Sequence, residues 1–155
     1  MPTHPYVIKR FTNNDILLAA TCYAKVFSGA PWHEDWHPDR IYERLEHITH
    51  SLGFLGMSAW HKNTLIGCGM GNIEPFNHTT YFYLKELFVC NTAQNQGVGS
   101  MLLDNITKEL QTVGVDHIYV ITQRHQKINH FYTKNGFSTT DNTQVLEKQI
   151  NKKHE

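Results

Sequence analysis

Apolar residues along the chain change their spacing several times, and each change marks an element. Tyr6 to Phe11 reads as a short strand, and Thr12, Asn13 and Asn14 offer caps to a helix carrying Ile16, Leu17, Ala20, Ala24 and Phe27. Gly29 ends that helix. An irregular segment, Gly29 to His37, leads to Pro38 and Asp39, which open a second helix with Ile41, Leu45 and Ile48 on one face. Gly53 to Trp60 and Leu65 to Ile73 are apolar runs joined by His61-Lys62-Asn63-Thr64, a turn length that suits antiparallel hairpin partners. A polar loop, Asn72 to Thr80, precedes Tyr81 to Cys90, a strand rich in aromatic and branched residues. Gly97 to Val113 is the clearest helix: Val98, Leu102, Ile106 and Leu110 recur at steps of four, and Gly114 offers a left-handed stop. His117 to Thr122 predicts a strand, Ile128 to Asn135 a short helix closed by Gly136, and Phe137 and Thr143 to Ile150 closing strands. Strands first and then β-α-β-α-β, with no repeat or linker, predict one domain over residues 1–155. The expected fold class is α+β or α/β, a mixed sheet with helices on its faces.

Composition narrows the partners. The 155 residues leave no room for a second domain and suffice to bury roughly two-thirds of the unfolded chain's surface. At 40% hydrophobic and 18% charged, the chain is not intrinsically disordered in the main. Fourteen basic against fourteen acidic residues create no global field for phosphate backbones or anionic lipid, so neither nucleic acid nor membrane is an expected partner. Cys22, Cys68 and Cys90 lie in apolar runs without short metal-ligand spacing, which predicts buried free thiols in a reducing compartment, by default the cytoplasm. Met1 to Arg10 lacks the basic and apolar blocks of a signal peptide, and no window approaches the roughly 18 apolar residues of a membrane span.

Chemistry begins at Gln94-Asn95-Gln96-Gly97-Val98-Gly99-Ser100, between a strand and the strongest helix. Missing side chains at Gly97 and Gly99 would expose consecutive backbone amides at a helix N-terminus, an anion site. A P-loop would need Gly-Lys-Ser/Thr after four intervening residues, and a dinucleotide fingerprint would need glycine where Leu102 stands, so both nucleotide readings fail.

The strand Leu84-Lys85-Glu86-Leu87-Phe88-Val89, the turn Gln94-x-x-Gly97-x-Gly99 and Phe131-Tyr132-x-x-x-Gly136-Phe137 together resemble, in order and spacing, the GNAT superfamily of N-acetyltransferases. Residues 81–137 carry the resemblance, and the two leading helices before a hairpin are similar as well. It implies acetyl-CoA as cosubstrate, bound where two parallel strands splay, near Val89 and Thr122. Pantetheine would pair with the free edge at Leu87, Phe88 and Val89, and pyrophosphate would sit on the amides of Gln96, Gly97, Val98, Gly99 and Ser100. Gln94 is one of the family's two usual residues, whereas Asn95 and Gln96 leave the loop without a cation; Arg124, Lys127 or Lys134 could supply one. Asn129 would hydrogen-bond the pantetheine or the helix start.

Such a site needs a base, because freeing an amine of pKa near 10 at pH 7 costs about 4 kcal/mol. On strict alternation Glu86 shares a face with Phe82, Leu84 and Phe88, an apolar setting that raises its pKa, and the resemblance puts the base there. The alternative is a structural ion pair with Lys85, Arg124 or another cation. Tyr132, three residues after Asn129, matches the tyrosine that protonates the departing sulfur in many relatives; its plainer role is packing. By the same resemblance Trp32, His33, Glu34, Asp35 and Trp36 wall the acceptor pocket, and their aromatic faces and carboxylates suit a cation.

His33-Glu34-Asp35-Trp36-His37 also satisfies H-E-x-x-H, the zinc hydrolase pattern. Pro31 before it and Pro38 after it oppose the continuous helix that a working motif needs, and no metal is expected. The sequence thus predicts an enzyme, an N-acetyltransferase acting as monomer or homodimer, that moves acetyl from acetyl-CoA directly to an amine of a small molecule or peptide. A non-catalytic acyl-CoA-binding sensor is the second reading and the zinc hydrolase the third.

Overall fold

A computed structural model describes residues 5–152. The chain divides into two compact units, residues 1–123 and 124–155. In the first, β1 (Tyr6–Arg10) leads through a 3-10 turn to α1 (Ile16–Ser28) and α2 (Pro38–Thr49). The hairpin β2 (Phe54–His61) and β3 (Thr64–Pro75), then β4 (Thr80–Val89), α3 (Val98–Thr112) and β5 (His117–Val120) complete it. Thr12 caps the 3-10 turn that leads into α1, its N–H donating to the Asp15 carboxylate at 2.8 Å while its carbonyl accepts from the Asp15 N–H at 2.9 Å, and Asp15 is the residue that precedes α1 itself. Pro38 opens α2, and His37 caps it by accepting from the Asp39 N–H on Nδ1 at 3.2 Å. The strand β3 runs to Pro75, past the expected end at Ile73, because Asn72 to Pro75 find ladder partners in Tyr83 to Thr80.

The five strands lie in the order β1-β2-β3-β4-β5, antiparallel except for the parallel pair β4 and β5 that α3 connects. This is the mixed, mostly antiparallel sheet that the pattern predicts. Alternation along β3 shows which helix covers which face. Cys68 and Met70 join the core of α1 and α2 with Tyr23, Phe27, Ile41, Leu45, Ile48 and Phe88. Gly67 and Gly69 point the other way, where a Cβ would meet Leu102 and Ile106 of α3. Each fully buried Ile, Leu or Phe in these layers contributes about 1.5–3 kcal/mol.

One irregularity positions the site. The β3–β4 register pairs Met70 with Glu86 but Gly71 with Leu84, so Lys85 is an extra, bulged residue. A Cβ on Gly71 would collide with the Tyr83 carbonyl oxygen there, which explains glycine at that position. Directly opposed residues share a face. Glu86 therefore lies with Met70 on the α1/α2 face, whereas Leu84 and Phe82, opposite Gly71 and Ile73, lie on the other. The bulge separates Glu86 from Phe82 and Leu84, with which strict alternation groups it; Phe88 remains its neighbour on the same face. Parallel pairing of β4 with β5 runs only from Tyr81↔His117 to Leu84↔Val120 and stops at the bulge.

Two further expectations are overturned. Cys22 and Cys90 form a disulfide with Cα atoms 5.7 Å apart, and only Cys68 is a free, buried thiol. Residues 68 apart meet because β4 ends against α1, which sequence spacing does not reveal. In the second unit α4 (Gln126–Lys134) forms, but among the described residues no strand follows β5. Val145, Leu146 and Ile150 are 67%, 81% and 87% exposed, and their spacing lacks the alternation that would give a strand one face to bury. No helix among the described residues is long and apolar enough to cross a membrane.

Candidate active site

Beyond Leu84, the edge of β4 that faced β5 carries no strand partner among the described residues. The Phe88 carbonyl approaches Gly67 on the β3 side, so alternation turns the main-chain groups of Leu87 and Val89 toward the open edge. Gln94 occupies part of it, donating from Nε2 to the Val89 carbonyl at 2.9 Å and to Asn91 Oδ1 at 3.1 Å. The N–H groups of Leu87 and Val89 and the Leu87 carbonyl remain to pair with an incoming chain, the role expected of this edge. Phe88 instead points its side chain into the core against Tyr23 and Phe27.

From Gln94 the chain turns into α3. Asn95 and Gly97 both adopt left-handed backbone, with φ of 62° and 80°, and Val98 begins the helix. The first intrahelical bond runs from the Met101 N–H to the Gly97 carbonyl, leaving the amides of Val98, Gly99 and Ser100 at the helix start. No atom lies within 4 Å of where a Cβ on Gly97 would stand, so the position faces open space. Gln96 does not point outward for a ligand: it donates to the Thr92 carbonyl at 3.3 Å and accepts from the Tyr6 hydroxyl. Left-handed turn, orphan amides and open space fit a diphosphate held by backbone groups.

Glu86 is 9% exposed at the centre of the α1/α2 face. Tyr23 of α1 donates to its Oε1 at 3.3 Å, and Arg44 Nε of α2 donates to the same oxygen at 3.1 Å. Burial pushes the Glu86 carboxyl above its ordinary range; Arg44 and the Tyr23 hydrogen bond oppose that, and the nearby Glu34 charge adds to it. Burial and Glu86 hold the Tyr23 hydroxyl protonated well beyond neutral pH. The cation that pairs with Glu86 is Arg44, not Lys85, whose ammonium lies over the Tyr83 ring at 5.7 Å. Neither Tyr23 nor Arg44 was legible as a site residue, because each is one position of an ordinary amphipathic helix until the sheet is placed beneath it.

The segment between α1 and α2 reaches the same place. Trp36 packs edge-on against Tyr23 with ring centroids 5.2 Å apart, and its Nε1 donates to Glu34 Oε1 at 2.8 Å. Trp32 packs on Phe27, while His33 and Asp35 are exposed. Trp36 and Glu34 thus stand beside Tyr23 and Glu86, whereas Trp32 mainly anchors the segment. The H-E-x-x-H stretch is not helical: His33 has φ of 50°, and the His37 ring caps α2. Among the described residues no group of three His, Cys, Asp or Glu could hold a metal ion.

In the second unit, Asn129 and Tyr132 stand three apart on α4. The Tyr132 ring packs against Phe131 and Phe137, each at 5.1 Å between centroids, and its carbonyl accepts from the Phe137 N–H at 2.9 Å.

Residues 18–137 match the family model described as the acetyltransferase (GNAT) family. No curated protein matches the sequence. Among solved structures, an integron cassette protein from the mobile metagenome of V. cholerae is similar with a TM-score of 0.80 at 16% identity, over 96% of this chain and 95% of the other. An aminoglycoside acetyltransferase from an uncultured soil metagenomic sample, in complex with sisomicin, is similar with a TM-score of 0.75 at 16% identity, over 95% and 97%. The protein AAC(6')-Iy, in complex with the bisubstrate analog CoA-S-monomethyl-acetylneamine, is similar with a TM-score of 0.72 at 16% identity, over 96% and 100%.

Proposed function

Because the chain belongs to the acetyltransferase (GNAT) family, we propose that it transfers an acetyl group from acetyl-CoA directly to an amine of a small molecule or peptide. The family match crosses residues 123 and 124, which supports one N-acetyltransferase domain built from both units. The observation that carries the reading is the buried carboxylate of Glu86 one residue before the open edge at Leu87. The cosubstrate supplies the thioester. Leu87 and Val89 align its pantetheine along β4, and the amides of Val98, Gly99 and Ser100 hold its pyrophosphate, with Asn129 and Tyr132 contributing from α4. Glu86 takes the proton of the acceptor, and a main-chain N–H at the open edge stabilises the oxyanion. Tyr132 returns a proton to the departing thiolate.

Direct transfer is favoured over a covalent enzyme because the cysteines offer no thiolate nucleophile. None of Cys22, Cys68 and Cys90 sits in a recognisable nucleophile, base and orienter pattern, and burial raises the Cys68 thiol well above its ordinary value. Glu34 and Trp36 beside the base favour a cationic acceptor with more than one amine, one nitrogen held by the carboxylate while another reacts. The sisomicin and neamine-derived ligands of the similar structures are of that chemistry. The proposed location is the cytoplasm, which requires Cys22 and Cys90 to be reduced there; alkylation of fresh lysate followed by mass spectrometry decides it.

The test is coenzyme A thiol release from acetyl-CoA against a panel of polyamines, aminosugars, peptides and neutral amines. Turnover is expected with a polycationic amine, and Glu34→Gln and Trp36→Ala should raise acceptor KM several-fold while leaving acetyl-CoA affinity unchanged. Coenzyme binding without turnover of any amine would favour the sensor reading instead.

A further inference from the structure

Glu86 is held from one side only. The Tyr23 hydroxyl and Arg44 Nε donate to the same atom, Oε1, at 3.3 and 3.1 Å. Two donors fill the two lone pairs of that oxygen. No hydrogen bond to Oε2 forms among the described residues. The buried side-chain polar atom left without a partner among them is Asn72 Oδ1, so Oε2, unpaired as well, is open to solvent. We propose that Tyr23 and Arg44 are positioning residues for acetyl transfer, clamping Oε1 from two helices so that Oε2 is the atom presented to the acceptor's proton. This rests on Glu86 being the base.

The chemistry of the clamp suits the task. An ammonium acceptor passes one proton to Oε2, leaving a neutral amine to attack and a neutral carboxyl that later returns the proton to solvent. The rate then depends on how readily the carboxylate takes and gives up that proton, and three charged or titratable groups face it. Arg44 from α2 favours the ionised form, as does the Tyr23 hydrogen bond from α1, whereas Glu34 from the connecting segment disfavours it. Tyr23 stays protonated throughout the working range, so it remains a donor in both states of Glu86. Arg44 is 39% exposed at its side chain, so its charge is partly screened and its removal leaves a hydrated gap rather than a cavity.

The experiment follows the Glu86 carboxyl itself in the full chain labelled with 13C at glutamate Cδ, its signal identified by loss in Glu86→Gln. Arg44→Gln should move its titration up, Tyr23→Phe up by a smaller amount, and Glu34→Gln down. Arg44→Lys should recover at least half of the Arg44→Gln shift. Thermal melts of each variant confirm that the fold persists, and Arg44→Lys and Tyr23→Phe keep the test open if Arg44→Gln unfolds. A Glu86 titration unchanged in both Tyr23→Phe and Arg44→Gln, or Arg44→Lys no better than Arg44→Gln, overturns the clamp. Full acetyl-transfer rates in Glu86→Gln with shifted titrations in the others would instead overturn the base assignment and leave the clamp as pure structure.

Discussion

Tyr132 is the residue whose two roles a single oxygen separates. Its ring packs between Phe131 and Phe137, and phenylalanine would keep both contacts. Its hydroxyl is what protonation of a thiolate requires. Tyr132→Phe is therefore expected to lower turnover about 10- to 1000-fold with acetyl-CoA affinity nearly unchanged, measured by steady-state thiol release and by calorimetry. Equal losses of affinity and rate would assign the tyrosine to packing. Glu86 is a candidate on residue type alone, a carboxylate in an apolar strand, whereas Tyr132 and Glu34 are candidates through the resemblance to the acetyltransferase family. Tyr23 and Arg44 are not legible in the sequence, since nothing local separates a tyrosine on α1 or an arginine on α2 from a core ring or a solvated cation. Their meaning comes from Glu86, 63 and 42 residues away.

Among elements, the entry to α3 carries the sharpest expectation. Gly97 sits at φ of 80°, so any branched residue is strained there although space is free. Gly97→Val should cost about 1–2 kcal/mol of stability and abolish coenzyme-induced stabilisation, which for the parent is about 2.7 kcal/mol when coenzyme A stands at a hundred times its dissociation constant. Gly97→Asn, which tolerates the left-handed region, separates the two effects by keeping the fold while crowding the phosphate approach. Unaltered thermal shifts with coenzyme A in both variants would remove the turn from the site. Periodicity places the four α-helices to within two residues at either end and finds all five strands; α1, α2 and α3 each bury an apolar stripe, and β2 and β3 read as near-continuous apolar runs because both their faces are covered. It missed the bulge at Lys85, since a burial pattern of alternate residues runs on unbroken through Phe82, Leu84, Glu86 and Phe88 while the register beneath it shifts. It also supplied closing strands where Thr143 to Ile150 buries no face.

At the scale of the molecule, the Cys22–Cys90 disulfide ties α1 to the end of β4 across 68 residues. Closing a loop of that length stabilises the fold by about 4 kcal/mol in the chain-entropy account. Denaturant titration of the oxidised and the phosphine-reduced protein should show that difference as a lower midpoint for the reduced form. Coincident curves would mean that the pair contributes nothing in solution. Cysteine composition alone pointed the other way because three cysteines without a motif are most simply thiols, and only the packing of α1 beside β4 brings two of them together.

That same bond draws a boundary through the chemistry. Tyr23, Glu34, Arg44 and Glu86 all fall inside the covalent ring that begins at Cys22 and ends at Cys90, while the Gln94–Ser100 turn, α3 and α4 hang outside it. The groups assigned to the acceptor, together with Leu87 and Val89 of the pantetheine edge, form a closed circuit, and those assigned to the pyrophosphate and on α4 form its tail. A cut at the β3–β4 turn, where Phe76 is exposed, opens the circuit without parting its ends. The severed halves stay one molecule until a reductant arrives, with α1, which carries Tyr23, still tethered to the end of the strand that carries Glu86.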